Sequence, residues 1–210
     1  MVNSLEEKEK VSTFVAGQIL NLMTDKSGKL LDSLESNAVV LFSDIRSFTT
    51  LSEIYDPQEI VEMRNEYFEL WQKIIQRHNG VIERFIGDAV VAVFFERTSS
   101  HYYQAAIQAA IDMSVAMQEF NKSREADGKF TVENGVGLAH GMVRFTIIGN
   151  SVKRHLSTLS PTSLKAEELT RKTTHSNILT DSELFEKCQH SFDFVPYMAK
   201  DENHYEVLID

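Results

Sequence analysis

Apolar residues fall into two rhythms along this 210-residue chain. Val11, Phe14, Val15, Ile19, Leu20 and Leu22 recur at helical spacing, and Thr24-Asp25-Lys26-Ser27-Gly28 breaks the pattern. Residues 1–37 therefore read as a helical lead-in or linker ahead of a domain over 38–210. Within that domain the run Ala38–Ser43 predicts a buried strand. Asp56, Pro57 and Asn79-Gly80 mark the start and stop of a helix, and its stripe of Ile60, Tyr67, Phe68, Trp71, Ile74 and Ile75 faces a core. Val81–Ile86 and Ala89–Phe95 follow as strands joined by Gly87-Asp88, a two-residue hairpin turn. A second helix is predicted over His101–Arg124, with Ala106, Ala109, Ala110, Met113, Ala116, Met117 and Phe120 on one face. A strand over Thr131–Ala139 comes next.

The order is β-α-β-β-α-β. Two helices on one face of a four-stranded antiparallel sheet, the ferredoxin-like arrangement, is the α+β solution to that order. Further short strands are expected at Phe145–Ile148, Asn177–Thr180, Phe192–Tyr197 and His204–Ile209, around a charged helix near Leu164–Thr173. No internal repeat or low-complexity segment interrupts the pattern.

Composition narrows the function classes. The chain is 42% hydrophobic and 25% charged, as a water-soluble globular domain is. No window approaches the ~20 apolar residues of a membrane span, and MVNSLEEKEK has no apolar signal-peptide core. The single cysteine, Cys188, cannot form an internal disulfide, which points to a reducing cytoplasm. A formal charge of −10 argues against general nucleic-acid binding, and an anionic ligand would need a local cationic site or bound metal ions. The seven histidines show no metal-ligand spacing, which argues against zinc.

One stretch does not fit a plain buried strand. VVLFSDIRSFT, residues 39–49, runs from apolar residues straight into Asp44, and a buried carboxylate must be neutralised. In the ferredoxin-like topology the third strand lies between the first and second, so the end of strand one sits beside the start of strand three. Asp44 and Asp88 occupy those points. Two adjacent carboxylates repel unless a cation lies between them. Mg²⁺ or Mn²⁺ suits oxygen ligands, with the Ile45 carbonyl available at the strand end. Either aspartate alone reads more readily as a turn cap; the two together, at topologically linked positions, favour the cation.

FSDIRSFTTLSE (42–53) followed by GVIERFIGDAVVAVF (80–94) resembles the two metal-binding motifs of class III nucleotide cyclases, the adenylyl and guanylyl cyclases. The likeness runs from about residue 11 to 143, through AAIQAAIDMSVAMQEFN (105–121) and VGLAHG (136–141), with weaker echoes in SNILTDSELFE (176–186) and HYEVLID (204–210). The resemblance implies two metal ions held by Asp44, Asp88 and the Ile45 carbonyl, binding the triphosphate and activating the ribose 3′-hydroxyl. It places Arg84 at the purine-reading position and Thr146 at the partner purine contact. Both lean towards ATP over GTP, although Arg84 also reads as a surface arginine on a half-exposed strand.

The likeness breaks further on. The family's asparagine and transition-state arginine fall on Lys153 and Ser157 if counted directly through FTIIGNSVKRHLSTLS (145–160). They fall near Ser163 and Glu167 if 153–161 is an insertion. Arg154 and Lys200 remain as phosphate-contacting candidates. The family's arm over the partner subunit also reads as missing, since GMV passes almost directly into RFTII. The expected function is a metal-dependent, ATP-preferring cyclase domain of intracellular signalling, weak alone as a homodimer or completed by a complementary chain in a heterodimer. The alternative is a degenerate cyclase-homology domain that binds nucleotide or a protein without turnover.

Overall fold

A computed structural model describes residues 33–149, 154–199 and 202–209. The predicted helix at 11–23, Lys153 and Lys200 lie outside the described residues. The elements, in order, are β1 (Ser33–Ile45), α1 (Phe48–Ile54), α2 (Pro57–Arg77), β2 (Val81–Ile86), β3 (Ala89–Phe95), α3 (Tyr102–Ala126) and β4 (Asn134–Gly149). They continue with β5 (Arg154–Leu159), α4 (Pro161–Lys172), β6 (Ile178–Asp181), α5 (Ser182–Cys188), β7 (Phe194–Ala199) and β8 (Glu202–Val207).

The βαββαβ order is the predicted one. The sheet runs β2-β3-β1-β4-β6-β8-β7, with β5 paired to β4 off this path. β3 lies between β1 and β2, antiparallel to both, as the ferredoxin-like arrangement requires. β1 and β4 pair antiparallel from Ser33↔Thr146 to Ile45↔Asn134, so residues 33–37 of the expected lead-in belong to the sheet.

Both faces of the central strands are covered, which explains the unbroken apolar run in β1. Val39 and Leu41 pack under the helices with Met63, Trp71 and Met113. Val40 and Phe42 point the other way, to a second core with Phe95, Phe145, Ala166 and Leu169. α4 lies so close to that face that a Cβ on Gly137 would meet the Ala166 carbonyl at 2.3 Å and the Thr170 nitrogen at 2.5 Å.

Local chemistry sets the boundaries. Asp56 caps α2, its Oδ1 accepting from the Gln58 amide at 2.8 Å, and Pro57 opens the helix. Gly87 supplies the positive φ (62°) that the β2–β3 turn needs. Ser47, ahead of α1, holds φ 55° without a side-chain cap bond. A left-handed L-residue costs ~1 kcal/mol or more, so Ser47→Gly is expected to raise stability by ~0.5–1 kcal/mol in urea unfolding after glycine's extra chain entropy is counted.

Two expectations are corrected. Phe145–Ile148 is not a separate strand; it is the far half of β4, which runs on through Gly141. Nor is the segment after Val143 cut short. Residues 144–149 climb and 154–159 return, paired from Arg144↔Leu159 to Gly149↔Arg154. The polar HLSTLS run hides this return strand because its pattern carries no apolar alternation against a core. α1 and α5 were also not predicted, each being only seven residues long. Cys188, at the end of α5, is fully buried, and burial pushes its thiol up to about 12. It is expected to resist a thiol reagent at pH 8 until the protein is unfolded in guanidinium.

Candidate metal and nucleotide corner

The end of β1 and the β2–β3 turn form one corner. Ser43 pairs with Val90, which sets Asp44 level with Ala89 and beside Asp88. The two carboxyl groups lie close enough for Asp44 to act directly on Asp88. Burial and the Asp44 charge push the Asp88 carboxyl up to about 6, while the amides of Asp88 and Ile45 pull the other way. Two carboxylates thus meet where the sequence put them, and their mutual repulsion favours a proton on Asp88 up to about pH 6.

β1 runs two residues past its predicted end at Ser43, so Ile45 belongs to the strand. The Arg46 amide donates to the Glu133 carbonyl at 2.8 Å, so ladder alternation turns Ile45's own N–H and C=O towards the β3 side. Its N–H reaches Asp88 there. Among the described residues no group of three or more His, Cys, Asp or Glu side chains could hold a metal; this corner offers two carboxylates and backbone oxygen.

Beneath it lies a buried polar hub that the sequence reading missed. Ser43 Oγ takes Trp71 Nε1–H at 3.1 Å and Asn134 Nδ2–H at 3.2 Å, and shares a 2.9 Å hydrogen bond with the Tyr67 hydroxyl. Tyr67 and Trp71 are fully buried. Burial above all raises the Tyr67 phenol well beyond its ordinary range, and the charges of Asp44 and Asp88 add to it. The hub joins α2, β1 and the start of β4 directly behind the carboxylates. The signal was available: Tyr67 and Trp71 are one helical turn apart, each with a polar group to satisfy in the core.

Arg46 was also passed over as part of the site. Its Nη2 lies 3.4 Å from Asp44 Oδ2, and its Nη1 donates to the Thr170 carbonyl at 3.2 Å. Residues two apart in extended chain share a side, which was the cue in D-I-R.

The remaining predicted residues are scattered. Arg84 stands just past a bulge in β2, exposed, with Nη1 2.9 Å from Glu83 Oε1. Thr146 pairs with Ser33 and Ser157 at the far end of β4. It is eleven residues from Gly135, the partner of Asp44, or ~37 Å along the strand. Arg154 opens β5, opposite Gly149. Ser163 and Glu167 fall on α4, and Glu167 is paired with Arg171. One chain does not bring Thr146 or Arg154 to the carboxylates.

Comparison with known proteins agrees with this architecture. Residues 32–194 match the family model described as the adenylate and guanylate cyclase catalytic domain. An adenylate cyclase of Anabaena cylindrica is 33% identical over 114 residues, covering 52% of this chain and 22% of that protein. Adenylate cyclase 1 of Rhizobium meliloti is 29% identical over 124 residues, 53% of this chain and 19% of that one. The chain thus spans about a fifth of the length of these curated relatives. Among solved structures, the adenylyl cyclase CyaB from P. aeruginosa superposes with TM-score 0.79 at 21% identity, covering 86% of this chain and 97% of that one. The guanylyl cyclase Cya2 gives 0.74 at 23% identity, with 84% and 92% covered. No described helix is long and apolar enough to cross a membrane.

Proposed function

Because this chain belongs to the adenylate and guanylate cyclase catalytic-domain family, we propose that it converts ATP, in preference to GTP, to the 3′,5′-cyclic nucleotide and pyrophosphate. The observation that carries the reading is the Asp44–Asp88 pair, held side by side at two strand ends. The donor set fits Mg²⁺ or Mn²⁺: hard carboxylate oxygens whose mutual repulsion a cation would relieve, with the Ile45 carbonyl turned to the same side. A bound divalent ion would acidify the ribose 3′-hydroxyl and offset charge on the phosphates.

The chain's own residues supply the frame. The Ser43 hub fixes the strand end, and the Gly87 turn brings Asp88 against it. In the reaction the 3′-oxygen bonds to the α-phosphorus, its proton leaves, and the bond to pyrophosphate breaks. Arg84 and Thr146 support the ATP preference as purine-contacting residues, and Arg154 and Lys200 complete the set as phosphate contacts. With Thr146 ~37 Å along the strand from Asp44, a complete site takes two chains, a homodimer or a heterodimer with a complementary cyclase chain.

A second reading has its own observation. α4 offers Ser163 and Glu167 in one of the two registers considered for the family's asparagine and arginine, and Glu167 is tied to Arg171. That arrangement favours nucleotide binding without turnover. Incubation with Mn²⁺ and ATP, followed by chromatography for cyclic AMP, separates the two. Product that disappears with Asp44→Ala supports catalysis; calorimetric binding of Mn²⁺ and ATP with no product at high protein concentration supports the silent domain.

A further inference from the structure

Asp44 already has a cation beside it. Arg46 Nη2 stands 3.4 Å from both the Oδ2 and the carbonyl oxygen of Asp44, and Nη1 stands 3.2 Å from the Thr170 carbonyl. Charge-assisted hydrogen bonds usually close to ~2.7–2.9 Å, so all three are long. The Arg46 Nε is buried with no partner. The guanidinium lies alongside Gly135, where a side chain would crowd it: a Cβ there would lie 3.2 Å from the Arg46 Cζ. It sits between the last turn of α4, the start of β4 and Asp44. The carbonyl end of α4 favours a cation, which accounts for its staying there.

We propose that Arg46 is the resident counter-cation of Asp44, a fixed positive charge that occupies the carboxylate in the metal-free protein and opposes a divalent ion at the same corner. The proposal rests on reading Asp44 and Asp88 as metal ligands. A single and a double positive charge ~6 Å apart repel by a factor of about ten in affinity even at the dielectric constant of water. The free chain therefore loads a divalent ion poorly. An anionic ligand arriving with the ion offsets the repulsion and gives the under-used guanidinium donors a better acceptor.

The test is Mn²⁺ binding to the full chain without nucleotide, followed by electron paramagnetic resonance of the free ion. Arg46→Met and Arg46→Gln are expected to bind Mn²⁺ about tenfold more tightly than the parent, and Arg46→Lys, which keeps the charge, within about twofold of it. A residue that merely braced the corner would give the opposite sign, since its loss would weaken binding. Unchanged or weaker Mn²⁺ binding in the Met and Gln variants, with parental circular dichroism and melting, overturns the proposal. Gln retains a donor for the Thr170 carbonyl and decides the question should Met disturb the fold. Asp44→Asn separates the two levels. If it binds Mn²⁺ as the parent does, the ligand reading fails and takes this proposal with it. If it weakens binding while the Arg46 variants do nothing, only the counter-cation role falls.

Discussion

Asp44→Asn and Asp88→Asn are each expected to lower Mn²⁺-dependent formation of cyclic nucleotide by ~10²–10³-fold, measured as kcat/KM with ATP. The side chains keep their shape and lose the charge that would hold the ion. Loss of activity through unfolding predicts a different result at pH 7. The Asp88 carboxyl is pushed up to about 6 by burial and by Asp44, so in the metal-free protein its proton is bound more tightly folded than unfolded. That contribution to stability is present at low pH and is lost as pH rises through about 6. Asp88→Asn imitates the protonated form, and its unfolding midpoint at pH 7 is expected to equal or exceed the parent's. A variant that retained the parental rate would remove the carboxylate pair from the reaction.

Trp71→Ala is expected to cost ~3–5 kcal/mol in urea unfolding, the range for truncating a large buried aromatic. Trp71 is fully buried, tilted against Tyr67 at a centroid distance of 4.5 Å, and donates to Ser43. Trp71→Phe separates packing from polarity. It retains most of the volume, drops the donor, and is expected to lose only ~1–2 kcal/mol. Equal losses in the two variants would mean that the indole N–H, not the ring, carries the effect.

The central half of the fold was legible because several kinds of signal agree there. The two strands of the β2–β3 hairpin were bounded correctly since the Gly87-Asp88 turn admits one register, and α2 was bounded by its cap, its proline and its Asn79-Gly80 stop. The family was legible from two motifs, one running from the end of β1 into α1 and the other lying in this hairpin. After Val143 the agreement fails. β5 is a polar strand in a hairpin whose partner gives it no apolar rhythm, and the eye passes from Gly149 straight to a helix. In the site, the carboxylate pair followed from topology alone. Arg46 and the Ser43 hub did not, because their importance lies in distances to Thr170, Tyr67 and Asn134, residues far off in sequence.

The ladder between β1 and β4 also bears on how the protein is made. β1 is complete at residue 45, yet its two neighbours begin at Ala89 and Asn134. During synthesis the apolar stretch Ala38–Phe42 must wait, first for one flank and then for the other, with its edges unpaired. Contacts this distant in sequence slow folding and leave such a segment open to association with other chains. Refolding yield should therefore fall steeply with protein concentration, even though the finished strand is among the best protected parts of the molecule.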